Sequence, residues 1–344
     1  MKHHRIFILL LSATFLLGFI ANPLLVGATR IRIGTAAPKD SLWHEVLKEL
    51  KQDWEKISDK EVTVTIYEGG KLGDENEMVD MVRAGRIQVV ALTTSGLAQI
   101  DDSLACLQIP MMIRSYSELD YVLKNIGPRL EKKLEEKGFK LLLWADAGWV
   151  RTFAKEPVRT PDDLRKMKLF TSAGDPDTEK LYKELGFQVT PLSLSDMIPS
   201  LQTDMINAVN LPPYYVSMTG AHRIVPYMTG IKWNPLVAGT VIDLKVWNKI
   251  PEKYRPQLLE AARSVGAKYQ GRIRSFGEDS IKEMEKRGLK VVELNDSEIS
   301  NWRKEAEKAY PKIRGRLTPA EYFDEVKRLV DEYREPKEKE PAGQ

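Results

Sequence analysis

Segments with the residue pattern of strands alternate with amphipathic helices along the chain, and this order constrains the fold more than any other feature. Residues 31–35 alternate in polarity, and apolar residues then recur at helical spacing from Trp43 to Ile57. Further strands are predicted at 62–67, 89–93 and 141–144, with helices at 74–83 and 118–137. Strands that alternate with helices predict an α/β fold with a mainly parallel sheet covered on both faces.

A second series of the same kind begins after Gly148. Residues 160–163 read Thr-Pro-Asp-Asp, which is typical of a helix start because threonine caps the helix and proline fits its first position. Strands predicted at 167–171, 188–191 and 206–210 alternate with helices at 177–185 and after Ser193. The sequence therefore predicts two α/β domains.

A helical pattern from Glu252 to Glu285 predicts one helix that is long enough to run across both domains. We assign residues 29–147 and about 236–275 to domain I, and residues 148–235 and about 276–333 to domain II. Residues 334–344 are rich in Lys, Glu and Pro and are predicted to form a disordered tail.

The N-terminus has the three parts of a secretory signal peptide. A basic start at 1–5 precedes an apolar run at 6–20, and the small residues Gly27 and Ala28 stand where signal peptidase cuts. We therefore predict that residues 1–28 are removed and that the mature protein is exported. The alternative is an uncleaved membrane anchor.

Charge and cysteine content argue against several classes of function. A net charge of +3 over 344 residues, with scattered bases, lacks the concentrated basic surface that is typical of nucleic-acid binding. The single cysteine, Cys106, cannot form an intramolecular disulfide. His44 and His222 stand far apart in the sequence and do not indicate a metal site, so no metal or cofactor is predicted.

None of the enzyme motifs that we sought is complete in the sequence. Ser172-Ala173-Gly174 lacks the preceding glycine of a G-x-S-x-G elbow, and paired acids such as Asp101-Asp102 are typical of turns and helix caps. We predict that the protein is not an enzyme. A periplasmic hydrolase with His44 or His222 as its base is the alternative from another class.

Aromatic residues stand at predicted strand ends, where α/β sheets bind ligands. Trp149, Phe170, Tyr214 and Trp233 have this placement, although each by itself is more typical of a core. Together they predict an apolar pocket in which a few polar groups orient the ligand.

Five short motifs occur in a fixed order: Tyr67–Gly73 (YEGGKLG), Arg83–Ile87 (RAGRI), Thr160–Leu169 (TPDDLRKMKL), Leu185–Phe187 (LGF) and Leu201–Ala208 (LQTDMINA). In this order and spacing they resemble the DctP-type substrate-binding proteins of TRAP transporters. The resemblance implies a periplasmic receptor of two α/β domains with the periplasmic-binding-protein fold, a long helix crossing both, and closure over one small ligand. It also implies the small and large TRAP membrane subunits as partners.

The sequence departs from that family at positions that matter for the ligand. Most members bind carboxylates through an arginine at the position of Phe170, and Arg151 is displaced by one residue from the family's G-x-R pattern. One position reverses the direction of a strand side chain. Asn207, Asn210 and Leu211 replace the family's usual Asp, Glu and Asn. A carboxylate clamp is therefore predicted to be replaced by apolar surface.

This combination is similar to a DctP-like subgroup that is associated with a tetratricopeptide-repeat lipoprotein, for which a hydrophobic ligand has been proposed. We predict an apolar or amphipathic ligand, with that lipoprotein as a further candidate partner. The alternative is a receptor for a small organic acid that uses Arg151. The candidate ligand-binding residues are Trp43, Tyr67, Trp149, Arg151, Phe170, Asn210, Leu211, Tyr214 and Trp233.

Overall fold

The computed structural model describes residues 28–335. Residues 1–27 of the predicted signal peptide and residues 336–344 of the predicted tail lie outside this range, whereas Arg334 is the last residue of a helix. Within the described range, none of the helices combines the length and the apolar character that a bilayer crossing requires.

The described residues form strands and helices that alternate along most of the chain. The strands are β1 (Thr29–Thr35), β2 (Val62–Tyr67), β3 (Val89–Thr93), β4 (Phe139–Trp149), β5 (Arg151–Ala154), β6 (Lys168–Ser172), β7 (Gln188–Leu192), β8 (Ala208–Leu211), β9 (Tyr227–Thr229), β10 (Pro235–Asp243) and β11 (Lys290–Val292). The helices are α1 (Leu42–Ile57), α2 (Glu75–Arg83), α3 (Thr94–Ala98), α4 (Tyr116–Glu136), α5 (Pro161–Arg165), α6 (Pro176–Glu184), α7 (Met197–Gln202), α8 (Pro213–Thr219), α9 (Leu244–Lys249), α10 (Arg255–Lys286), α11 (Asp296–Ile313) and α12 (Ala320–Arg334).

The strands form two sheets, one in each domain, which confirms the predicted α/β class. Sheet I has the order β2-β1-β3-β10-β4, and sheet II has the order β11-β9-β5-β8-β6-β7. In sheet I, β1 pairs in parallel with β2 and β3, but β10 is antiparallel to both β3 and β4. Sheet I is therefore more mixed than predicted, because β10 joins it only after the chain returns from the other domain.

The predicted long helix is confirmed as α10, and it packs on both domains. Its first half places Leu258 and Val265 in a core that also contains residues of α1 and β1. Its second half places Ile281 and Met284 in the core beneath sheet II. One continuous helix therefore joins the two hydrophobic cores.

Two parts of the domain assignment differ from the structure. Strand β4 stays in sheet I through Trp149, two residues beyond the predicted boundary at 147. Helix α12, which we had assigned to domain II, packs instead on α4 of domain I, with Val326 in the same core as Val122. Arg334 also forms a salt bridge of 2.9 Å with Glu118 at the start of α4. The apolar stripe of α12 does not encode which domain it covers.

Two glycines of α10 provide a matched test of how closely this helix approaches sheet I. A β-carbon at Gly266 would lie 2.9 Å from the carbonyl oxygen of Trp144, whereas one at Gly271 would meet nothing within 4 Å. We expect Gly266→Ala to lower the free energy of unfolding by about 1–3 kcal/mol through overpacking. We expect Gly271→Ala to raise it by about 0.5–1 kcal/mol through helix propensity. Urea titrations measure both, and equal effects of the two substitutions would contradict the packing.

Candidate ligand-binding site

A cavity of about 360 Å³ lies between the two domains. Strands β1, β3, β6 and β8 contribute the residues at their carboxyl ends to its wall, and β10, α1 and α6 complete much of the rest. Ligands of α/β proteins bind beyond the carboxyl ends of strands, where the connecting loops leave a crevice. The position of this cavity makes it the candidate ligand-binding site.

Five of the nine predicted site residues lie in the cavity wall: Trp43, Phe170, Asn210, Leu211 and Trp233. The Nε1–H of Trp43 donates a hydrogen bond of 3.2 Å to a backbone carbonyl in β4, which fixes the plane of the indole. Phe170 and Trp233 are each only 7% exposed. The wall therefore presents apolar surface at Phe170, the position at which the resemblance implies an arginine in most relatives.

The other four predicted residues lie outside the wall. Tyr67 ends β2 without reaching the cavity, and Trp149 packs in the core of domain I, 5.4 Å from the ring centre of Tyr116. Tyr214 does not line the cavity, whereas its neighbour Tyr215 does. Burial raises the pKa of Tyr215 to about 12, so this phenol is neutral at physiological pH.

Arg151, the fourth, points away from the cavity because successive side chains of an extended segment alternate in direction. Val150 lines the cavity, and the Arg151 guanidinium instead donates a 3.0 Å hydrogen bond to the carbonyl of Gly230. Its other terminal nitrogen lies 3.7 Å from the Glu278 carboxylate of α10. Burial lowers the pKa of Arg151. In this arrangement its charge serves contacts within the protein.

The amide of Asn210 is held by two neighbours. The Thr152 hydroxyl donates to its oxygen at 2.8 Å, and its nitrogen donates to the Tyr182 hydroxyl at 3.2 Å. Burial raises the pKa of Tyr182 to about 12. Since an amide nitrogen has two hydrogens, Asn210 keeps one donor that this network does not use.

The charged residues of the wall are all acidic: Asp74, Glu75 and Asp175. None of the wall residues within 28–335 is a lysine, arginine or histidine. Glu75 accepts hydrogen bonds from the backbone N–H and the hydroxyl of Thr93, at 2.7 and 2.6 Å, and burial raises its pKa. Burial also raises the pKa of Asp74. Asp175 caps α6, where it accepts from the Thr178 N–H at 3.0 Å.

Two of the places where the domains touch lie beside α1 and α2 at the edge of the cavity. The backbone N–H of Leu42 donates a 3.0 Å hydrogen bond to the hydroxyl of Tyr214, whose ring lies 5.0 Å from that of Trp43. At the second place, Gly174 lies so near α2 that a β-carbon there would be 2.9 Å from the Asn76 side-chain oxygen. The cavity is therefore bounded by contacts that require the two domains to be close.

Sequence reasoning missed several residues of the wall. Thr35 and Thr93 end β1 and β3, so the strand-end rule that selected Phe170 applies to them as well. Ala309 and Ile313 come from α11, a helix that we had not predicted although Asn295 and Glu298 form a capping box at its start; nothing local to this pattern indicates that the helix reaches the cavity.

The two histidines considered as catalytic bases lie elsewhere. His44 is tied to its own helix start, since its Nδ1 accepts from the Asp40 N–H at 3.0 Å, and His222 is buried; neither lines the cavity. Over residues 28–335 there is also no group of three or more His, Cys, Asp or Glu side chains placed to hold a metal ion.

Comparison with known proteins identifies the family. Residues 33–316 match the bacterial extracellular solute-binding proteins of family 7, DctP. The ectoine-binding periplasmic protein TeaA of Halomonas elongata is 22% identical over 299 residues, which cover 82% of this chain and 86% of that protein. The C4-dicarboxylate-binding periplasmic protein DctP of Rhodobacter capsulatus is 22% identical over 306 residues, covering 88% of this chain and 91% of that protein.

A solved structure shares the fold. The TRAP periplasmic solute-binding protein of Ralstonia eutropha with bound (S)-2-acetolactate gives a TM-score of 0.83 at 19% identity, covering 88% of this chain and 99% of that chain. Because the family match spans most of the sequence, this chain belongs to the DctP family of bacterial extracellular solute-binding proteins.

Proposed function

We propose that this protein is the periplasmic receptor of a TRAP-type secondary importer, which binds one small apolar or amphipathic ligand and carries out no chemistry of its own. It delivers the ligand to the small and large membrane subunits. The observation that carries the proposal is the cavity between the two domains, whose wall, as formed by residues 28–335, contains Phe170 and Leu211 and lacks basic side chains. The signal-peptide pattern at 1–28 supports export to the periplasm.

Apolar contact is sufficient for binding in such a cavity. Burial of apolar surface contributes about 25 cal/mol per Å², so a ligand that covers Phe170, Leu211 and Trp233 binds without an ion pair. Asn210 supplies a hydrogen-bond donor for orientation. The same pattern of residues also makes a tetratricopeptide-repeat lipoprotein a candidate partner in delivery.

A small organic acid is the second candidate ligand, and the relatives favour it. The related proteins bind, by their names, C4-dicarboxylates, ectoine and acetolactate. An acid would require Arg151 or another base to turn into the cavity, because an unpaired buried carboxylate is costly.

Native mass spectrometry of the protein purified without refolding, followed by extraction of the bound compound, tests the proposal directly. We expect one neutral or amphipathic molecule per chain. A dicarboxylate or sugar acid would overturn the apolar reading and support the second candidate, and conversion of the compound to a product would support the hydrolase instead.

Phe170 provides a test of the apolar wall. We expect Phe170→Ala to weaken the binding of 1-octanol, measured by calorimetry, by about 1.5 kcal/mol or roughly tenfold, because aromatic contact area is lost. Phe276→Ala is the matched control, since Phe276 is 40% exposed and lies outside the wall. An equal loss in both variants would contradict the assignment of Phe170.

Arg151 separates the two candidate ligands. We expect Arg151→Gln to leave the affinity for 1-octanol within about twofold of the wild type, because the guanidinium points toward Gly230 and Glu278. If octanoate binds and loses about 1.5–3 kcal/mol in the same variant, as expected for a lost hydrogen bond to a charged group, the organic-acid reading is the better one.

A further inference from the structure

Asn210 belongs to a chain of hydrogen bonds that leads from a buried strand to the cavity. The Thr152 hydroxyl of β5 donates to the Asn210 side-chain oxygen at 2.8 Å, and the Asn210 nitrogen donates to the Tyr182 hydroxyl at 3.2 Å. Thr152 is buried and lies outside the wall, whereas Asn210 and Tyr182 line the cavity. The hydrogen bonds therefore run in one direction, toward the wall, and bonds in such a chain strengthen one another.

A donor hydrogen at the end of this chain has no acceptor among residues 28–335. The Asn210 amide nitrogen carries two hydrogens and Tyr182 takes one, so one is left. The remainder is the same if the amide is turned over, because Thr152 then accepts the first hydrogen. With the amide as it stands, the Tyr182 hydroxyl also keeps its own hydrogen, since burial raises its pKa to about 12. Asn210 is only partly buried, so a ligand in the cavity reaches its amide.

The other polar groups of the wall suit neither a carboxylate ligand nor a ligand that donates hydrogen bonds. Over the described residues, the wall contains no basic side chain that would pair with a carboxylate. Glu75 already accepts two hydrogen bonds from Thr93, at 2.7 and 2.6 Å. Asp175 accepts two from Thr178, at 3.0 and 2.9 Å. A carbonyl oxygen fits this wall better than a hydroxyl or an ammonium, because it accepts and brings no hydrogen that needs an acceptor.

We propose that the ligand is an uncharged carbonyl compound, such as a ketone or an ester, whose oxygen accepts the unused hydrogen of Asn210. Its apolar body then lies against Leu211, the next residue of β8, and Trp233, which shares a hydrophobic cluster with Tyr182. An amide hydrogen that stays unpaired beside apolar ligand surface is costly, so a carbonyl is selected over a hydrocarbon group at this place. This inference rests on the proposed function and names the class of ligand.

Two probes with one eight-carbon chain test the carbonyl: octan-2-one, whose oxygen only accepts, and 1-octanol, whose oxygen also donates. In calorimetric titrations at pH 8 we expect octan-2-one to bind at least about threefold more tightly. Asn210→Asp keeps the size of the side chain and the oxygen that Thr152 needs, but it replaces the donor by an acceptor. The ratio of the affinity for octan-2-one to that for 1-octanol should then fall by about tenfold or more, because only the alcohol donates to a carboxylate.

Asn207→Asp is the matched control, since Asn207 lies outside the wall and its oxygen accepts the backbone N–H of Lys168 at 2.7 Å. It should leave the ratio unchanged. If circular dichroism shows that Asn210→Asp does not fold, Asn210→Leu removes the donor at similar volume and should bring the ratio to about one.

Equal affinity of the wild type for the two probes, or the same ratio in the wild type and the Asn210 variant, would overturn the carbonyl ligand. Either result would leave the proposed function intact, because an apolar body still binds. Binding of neither probe would overturn both.

Discussion

The pairing of two extended segments at the domain crossing is the constraint on which the cavity depends. The N–H of Val150 donates to the carbonyl of Asn234 at 2.9 Å, and the N–H of Trp233 donates back to Val150 at 3.0 Å. All three residues line the cavity. The N–H of Met111 donates to Trp233 at 2.6 Å and ties this crossing to domain I. Loss of such buried backbone bonds is costly, so the crossing fixes which side chains reach a ligand.

This pairing also explains why Arg151 does not line the cavity although the preceding residue does. Since Val150 faces the cavity, Arg151 faces α10, where it approaches Glu278. One turn earlier, Arg274 forms salt bridges with Asp120 and Asp146 of domain I. Helix α10 thus contacts charged groups of both domains within one turn, and an arginine that would suit a carboxylate ligand instead supports the helix that joins the domains.

The two-domain plan and α10 were predictable because strand and helix periods are local properties of the sequence. The domain of α12 was not, because its apolar stripe fits any exposed hydrophobic face. Within the candidate site, Phe170 was predicted from its residue type at a strand end. The strand end at Trp149 did not reveal that Val150, rather than its larger neighbours, reaches the cavity, because the crossing pairs with a segment more than eighty residues away. Recognition of the family came from ordered motifs, which periodicity alone does not provide.

The contacts between the two domains beside the cavity provide a physical link between ligand binding and the closeness of the domains. Trp43 lines the cavity and packs against Tyr214, whose hydroxyl accepts the N–H of Leu42, a helix-start group that has no partner within its helix. A ligand that packs on Trp43 therefore also favours the position of α8 in domain II. At the other contact, Gly174 of domain II lies close to Asn76 and Asp74 of α2, so closeness of the domains also brings the starts of α2 and α6 together. A ligand shifts a conformational equilibrium only by its different interaction with the two states, and the contact of Trp43 with Tyr214 is a place where that difference arises.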